Sequence, residues 1–338
     1  MNEKSSQNRK PKRILVTGGG GFLGTYVCKA FLDKGYEVVS FSRKSYAHLE
    51  NMGVRCEKGD LCQYEDVKAA VSGCVGVIHT AALAGIWGRW KDYYEANVVG
   101  TENVIRACRE EGVRRLVYTS SPSVVYDGMD IEGAGEDLPY ARRHWAHYPV
   151  TKAMAEKLVL AANSEILLTS ALRPHLIWGP GDPHFMPRLV ERSLSGKLKQ
   201  IGKGNNLVDV IYVENAAKAH LEVYEKLKEN PTAVAGNAYF IGQEKPVRLW
   251  EFVNKLIKAG GGRPVTKRVP FWLGYEIGRT LETLYSIFGI KKEPPITRFL
   301  ASQMAKSHYF SHEKAKRDFS YSPTVSLEEG FSRLSSKP

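Results

Sequence analysis

Tyr148 and Lys152 stand four residues apart in the run His147-Tyr148-Pro149-Val150-Thr151-Lys152. Pro149 suits the first turn of a helix, which puts the phenol and the ammonium on one helical face. An ordinary tyrosine titrates near pH ~10, and a neighbouring cation stabilises its phenolate and lowers that value. Thr119-Ser120-Ser121 closes an apolar run and offers a serine hydroxyl to hold a carbonyl oxygen while Tyr148 delivers a proton. The chemistry predicted is interconversion of a ketone and an alcohol.

That chemistry needs a hydride carrier. Ile14-Leu15-Val16-Thr17 runs directly into Gly18-Gly19-Gly20-Gly21-Phe22-Leu23-Gly24. Gly18 lets the chain turn off the strand, Gly21 lets the backbone approach a pyrophosphate, and Gly24 lets the helix pack closely on the sheet. Phe22 and Leu23 open that helix, whose unpaired N–H groups and dipole favour phosphate. The second strand runs Val38-Val39-Ser40-Phe41-Ser42-Arg43-Lys44 and has no carboxylate where an NAD site places one for the ribose 2′-hydroxyl. Ser42 can donate to a 2′-phosphate and Arg43 can pair with it, so NADPH is expected in preference to NAD. Asp60 and Leu61, after the third strand, are placed for the adenine.

Around these motifs, apolar runs rich in β-branched residues alternate with longer amphipathic stretches. Strands are predicted at 13–17, 37–41, 54–57, 75–79, 115–119 and 167–172, and helices at 22–34, 63–72, 90–111 and 149–163. This alternation calls for an α/β, Rossmann-type doubly wound parallel sheet. A basic tail (1–12), a dinucleotide-binding domain (13–174) completed by strands within 205–242, and an interleaved substrate region (175–204 and 243–330) are expected. Segments 209–211 and 238–241 are the candidates to return to the main sheet.

The 338 residues are 43% hydrophobic and 25% charged, which excludes disorder and small disulfide scaffolds. Five cysteines without a Cys-x-x-Cys pair or a histidine cluster read as free thiols in a reducing, cytoplasmic compartment, with no metal site. Net charge is +12; residues 1–13 hold five basic side chains against one acidic, and residues 263–317 eleven against four. The basic C-terminal quarter suits an anionic substrate, membrane surface or acidic partner; nucleic acid is not expected, since no module for it accompanies the charge.

Taken together, residues 17–24, His79-Thr80-Ala81-Ala82, Asn97, Thr119-Ser120-Ser121, Tyr148 with Lys152, and Leu172-Arg173-Pro174 resemble the extended short-chain dehydrogenase/reductase family across nearly the whole chain. The resemblance implies Ser121 as the carbonyl-orienting serine, Tyr148 as general acid/base and Lys152 as its activator and a ribose ligand. It also implies Ala81 and Ala82 as the wall beside the cofactor, Pro174 beside the nicotinamide, a structural Asn97, and a homodimer through the helices at 90–111 and 149–163. Sugar-nucleotide epimerases and dehydratases share this core, but Leu176 and Leu207 stand where diphosphate ligands would be, and burying a diphosphate there is costly.

The runs Ala82-Leu83-Ala84-Gly85-Ile86-Trp87-Gly88, Ser121-Pro122-Ser123-Val124 and Pro295-Ile296-Thr297-Arg298-Phe299-Leu300 are similar to the 3β-hydroxysteroid dehydrogenase-like branch. Within it they sit nearest bacterial reductases of long-chain olefin synthesis. This implies reduction of the β-keto group of a lipid-like 2-alkyl-3-oxoalkanoic acid. The alternatives are a 3β-hydroxysteroid or sterol dehydrogenase, a sugar-nucleotide enzyme and a non-catalytic NADP-sensing regulator. Ala84, Trp87, Trp178, Phe185 and Met186 are candidate substrate residues. Arg263, Lys267, Arg268 and Arg298 are candidates to attract a carboxylate. Phe271-Trp272-Leu273, Ile277, Leu281, Leu284-Tyr285 and Phe288 predict an amphipathic helix that could cap the pocket, meet a pathway enzyme or rest peripherally on a membrane.

Overall fold

The computed structural model describes residues 12–335 except 144 and 184. Lys4, Arg9 and Lys10 of the expected basic tail lie outside the described residues.

Seven parallel strands form the central sheet: β1 (Arg13–Thr17), β2 (Glu37–Ser42), β3 (Arg55–Lys58), β4 (Gly76–His79), β5 (Arg115–Thr119), β6 (Leu168–Pro174) and β7 (Asn237–Ile241). Their spatial order is β7-β6-β5-β4-β1-β2-β3. Alternation along each strand sends side chains to opposite faces, and both faces are covered. Ile14, Val16, Val38 and Ile78 pack on α1 (Phe22–Asp33) and the helix Val213–Glu229; Leu15, Val39, Val77 and Leu116 pack with residues of the helices that follow β4 and β5. The strand order reverses between β1 and β4, which opens a crevice at the carboxyl ends of the strands.

The predicted helix at 90–111 is interrupted. It consists of α2 (Trp90–Tyr94), a π-helical turn (Glu95–Val99) and α3 (Gly100–Glu110). The helix predicted to begin at 149 starts earlier, as α4 (His147–Ala161), so Tyr148 lies in its first turn.

One expected strand goes elsewhere. Segment 238–241 joins the main sheet beside β6, but Ile211–Tyr212 pairs with Ile177–Trp178 in a separate two-stranded sheet. Its surroundings account for this: Ile211 N–H donates to the Leu176 carbonyl (3.3 Å), and the Val210 carbonyl accepts from Gln243 N–H (2.8 Å). The C-terminal region has its own core of Trp178, Tyr212, Phe252 and Leu256. Its helix α5 (Phe271–Ile287) packs on the helix Arg298–Ala305. Among the described residues no helix is long and apolar enough to cross a membrane, and no group of three or more His, Cys, Asp or Glu could hold a metal.

Candidate active site

The glycine turn is shaped by close approach. Gly18 has φ +70°, and a Cβ there would lie 2.8 Å from Ala81 Cα. At Gly24 a Cβ would lie 2.1 Å from the Gly18 carbonyl oxygen, so only glycine lets α1 start against the turn. Gly21 is exposed and N-caps α1 without a side-chain cap, leaving first-turn N–H groups, those of Phe22 and Leu23 included, aimed out of the helix end. A bare amide cradle with a helix dipole behind it fits a dinucleotide pyrophosphate. Gly24→Ala is expected to push α1 off the turn, lowering stability by about 1–3 kcal/mol and abolishing thermal stabilisation by an added nicotinamide dinucleotide. Melting curves with and without NADPH measure both.

Beside the turn, the β2 end carries Arg43 and Lys44, both exposed. The Ser42 hydroxyl donates to the Lys44 carbonyl (3.0 Å), so its proton closes this bend and is not directed outward. Asp60 is half-buried and its carboxylate accepts Cys62 N–H (2.9 Å), while the Leu61 carbonyl is held by Asn103 Nδ2 (2.8 Å). Pro174, at the end of β6, is buried.

A buried hydrogen-bond chain links the turn to the π-helical turn. Thr101 donates to the Asn97 carbonyl (2.6 Å), so its oxygen accepts from His79 Nε2 (3.0 Å). His79 Nδ1 therefore accepts from the Thr17 hydroxyl (2.6 Å), whose oxygen accepts Ala81 N–H (3.3 Å). Carbonyls only accept, and that fixes every proton and the His79 tautomer. Burial pushes the His79 pKa down to about 3, so the chain stays neutral. Asn97 clamps Leu83 through both its amide oxygen (2.7 Å) and nitrogen (3.1 Å), and also donates to Thr151 Oγ1 (3.0 Å), next to Lys152. The motif His79–Ala82 was visible in the chain, but this linkage between distant elements was not.

Ser121 caps the short turn Pro122–Val124, accepting Ser123 N–H (3.2 Å), and its hydroxyl also shares a hydrogen bond with Ser123 Oγ (2.9 Å). Burial pushes Tyr148 up to about 12, with the nearby Ser121 hydroxyl opposing. Lys152 is 2% exposed; its Nζ donates to the Thr119 carbonyl (2.5 Å) and lies 4.1 Å from the centre of the Tyr118 ring. Burial lowers Lys152 to about 7, opposed by Glu156 one turn further on. The expected depression of the Tyr148 pKa by Lys152 is thus not what the structure has. Desolvation dominates both groups, raising the acid and lowering the base.

Tyr126, Ala146 and Phe299, with Ile86, Ile131 and Trp145, form an apolar cluster, of which Trp145 and Ala146 shortly precede Tyr148 in the chain. Sequence reasoning singled out neither Tyr126 nor Trp145 for the site and used Phe299 only within the run Pro295–Leu300. Of the candidate substrate residues, Ala84 is exposed and half-buried Trp87 donates from Nε1 to the Ile290 carbonyl (3.1 Å). Trp178 is 1% exposed inside the C-terminal core against Tyr212, Phe252 and Phe331, where its ring faces protein. Phe185 and Met186 open the helix Phe185–Leu194, their N–H groups on the Asp182 carboxylate (3.0 and 2.8 Å), and pack on the same core. Arg298 is paired with Glu282 (2.6 Å), so its charge is neutralised within the protein.

A seven-stranded parallel sheet ending in a glycine turn, with Ser121, Tyr148 and Lys152 gathered after β5, defines an oxidoreductase of the extended short-chain dehydrogenase/reductase kind. The chain belongs to the 3-beta hydroxysteroid dehydrogenase/isomerase family, whose model matches residues 15–271. It is 48% identical over 324 residues to a 2-alkyl-3-oxoalkanoate reductase of Stenotrophomonas maltophilia (strain K279a), covering 95% of this chain and 98% of that protein. A protein of the same name from Shewanella oneidensis is 45% identical over 332 residues, covering 96% of this chain and 86% of that one. Among solved structures, MoeE5 in complex with UDP-glucuronic acid and NAD aligns with a TM-score of 0.72 at 25% identity, covering 95% of this chain and 97% of that one.

Proposed function

We propose that this protein reduces the β-keto group of long-chain 2-alkyl-3-oxoalkanoic acids to the 3-hydroxy acids, with NADPH as reductant. The observation that carries the reading is the placing of Ser121 at the turn after β5 with Tyr148 and Lys152 one helical turn apart on α4. The full-length similarity to two 2-alkyl-3-oxoalkanoate reductases supports the substrate class.

The glycine turn Gly18–Gly24 would hold a reduced nicotinamide dinucleotide, whose chemistry when bound would be hydride donation to the carbonyl carbon. The Ser121 hydroxyl donates to the ketone oxygen and polarises it. Tyr148 then gives its proton to that oxygen as the C=O bond becomes C–OH. Lys152, which shares the helix face and whose Nζ rests on the Thr119 carbonyl, would compensate the phenolate left behind. The cluster around Tyr126, Trp145 and Phe299 offers alkyl chains an apolar wall. A homodimer through α3 and α4 belongs to the same reading; Ile105, Arg109, Leu158 and Ala162 line a groove of about 520 Å³ between these helices.

Nicotinamide absorbance tests the proposal directly. Turnover of NADPH is expected with 2-alkyl-3-ketoacids and not with ketosteroids or sugar nucleotides; the opposite selectivity overturns it. Exposed Arg43, with no carboxylate nearby on the β2 end, supports the choice of NADPH. Arg43→Ala should lower kcat/KM for NADPH by about 10–100-fold, the size of a lost charge-assisted hydrogen bond, and leave NADH turnover nearly unchanged. A wild-type preference for NADH sinks this part.

A further inference from the structure

The helix α5 cannot roll about its axis. Its inner face carries Gly274, Gly278 and Glu282, all buried. A Cβ at Gly278 would lie 2.7 Å from the Thr297 carbonyl carbon, and the Glu282 carboxylate accepts both Arg298 N–H (2.6 Å) and Arg298 Nε (2.7 Å). With that side fixed, Leu273, Ile277, Leu284 and Ile287 point outward, continued by Phe288 and Ile290; Ile287 is 71% and Phe288 72% exposed. Apolar side chains at this spacing form one stripe along a helix.

Charge frames the stripe. Lys267 and Arg268 precede the helix and Lys291 and Lys292 follow it, all exposed. Nearby acids are neutralised, Glu276 by Arg279 (2.7 Å) and Glu293 by Arg188 (2.7 Å). Two copies meeting face to face here would bring cations onto cations in either helix orientation, which disfavours a self-interface. An apolar stripe with cations at both ends fits the headgroup and acyl boundary of an anionic bilayer, with the helix lying in the plane.

The helix also borders the site. Tyr285 packs edge-on against Trp87, and Tyr275 against Trp145, three residues before Tyr148 (ring centres 6.1 Å apart in each pair).

We infer that α5 and the following residues through Lys292 dock the protein on an anionic phospholipid surface, placing the substrate cleft at the membrane where an apolar ketoacid partitions. Docking itself rests on the surface alone; its purpose rests on the lipid-substrate reading above.

The test is co-sedimentation of the full-length protein with phosphatidylcholine vesicles and with vesicles half phosphatidylglycerol. Binding is expected to the anionic vesicles, weakening as salt rises. The Ile287→Ser, Phe288→Ser double variant should lose about tenfold or more in vesicle affinity, from the apolar area no longer buried. Its circular dichroism and its turnover of a short, water-soluble ketoacid should stay those of wild type. Lys291→Glu with Lys292→Glu should remove the preference for anionic vesicles without touching the core. Wild-type protein left in the supernatant, or a double variant that binds like wild type, overturns the inference. So does a change in the variant's sedimentation coefficient in place of vesicle binding, which would mark the stripe as a contact between copies. Vesicle binding without ketoacid turnover leaves the docking surface standing and removes the proposed reaction.

Discussion

Tyr148→Phe is expected to lower kcat for ketoacid reduction by on the order of 10²–10⁴-fold, the usual contribution of a positioned proton donor, with KM changed far less. The variant keeps the ring and its packing and removes only the atom that carries the proton. Burial lifts the phenol to about 12, so wild-type Tyr148 stays protonated throughout the working range and does not itself titrate there. Lys152, lowered by burial to about 7, does. A lysine is charged below its pKa, so the cation that compensates the phenolate fades as pH rises through about 7. The reduction rate should therefore fall on the alkaline side of neutrality, with a midpoint near that value. Stopped-flow or steady-state rates across pH 5–10 measure this. Activity of Tyr148→Phe within a few-fold of wild type would remove the catalytic assignment.

Glu156→Ala is expected to destabilise the fold by about 3–5 kcal/mol, enough to leave much of the chain unfolded at moderate temperature. Glu156 is 0% and Arg173 3% exposed. The guanidinium meets the carboxylate through two bonds, Nε to Oε2 at 2.9 Å and NH2 to Oε1 at 2.6 Å, and Tyr140 donates to Oε1 at 2.8 Å. Truncation leaves Arg173 buried without its counter-ion. Burial alone would raise the Glu156 pKa, but the hydrogen bonds and charge of Arg173 outweigh it, and the value falls below its ordinary one. A carboxylate depressed in the folded state adds stability above the ordinary carboxylate range and loses it as pH falls through the folded value. Wild type should accordingly weaken in acid by a component that Glu156→Gln lacks. Urea denaturation at pH 7 and at pH 3–4 would show it; equal acid sensitivity in the two proteins would refute the linkage.

Much of the site was legible because its parts are short and local. The run from Ile14 to Gly24 holds a strand, a turn and a helix start in consecutive residues, and each glycine role is set by backbone geometry within that run. Tyr148 and Lys152 share a helix face because four residues make about one turn. The β-branched runs marked the inner strands of the main sheet, since strands covered on both faces are mostly apolar; the edge strand Arg55–Lys58 is polar and partly exposed. Where partners lie far along the chain, the reading went astray. The segment at 209–211 has the composition of a strand, but its hydrogen bonds go to Leu176 and Gln243, contacts that no local pattern encodes. Trp178 has the type of a tunnel residue, and only the surrounding Tyr212, Phe252 and Phe331 make it core.

By itself, the order of residues determined the dinucleotide turn, the phenol–ammonium pair and the parallel α/β plan, because each follows from periodicity and short-range sterics. Tertiary structure alone decided the direction of the pKa shifts: how much water remains around Tyr148 and Lys152 depends on packing between remote elements, and burial raises the first and lowers the second. It also decided which side of α5 faces outward, since the glycines at 274 and 278 matter only once Ile201 and Thr297 lie against them.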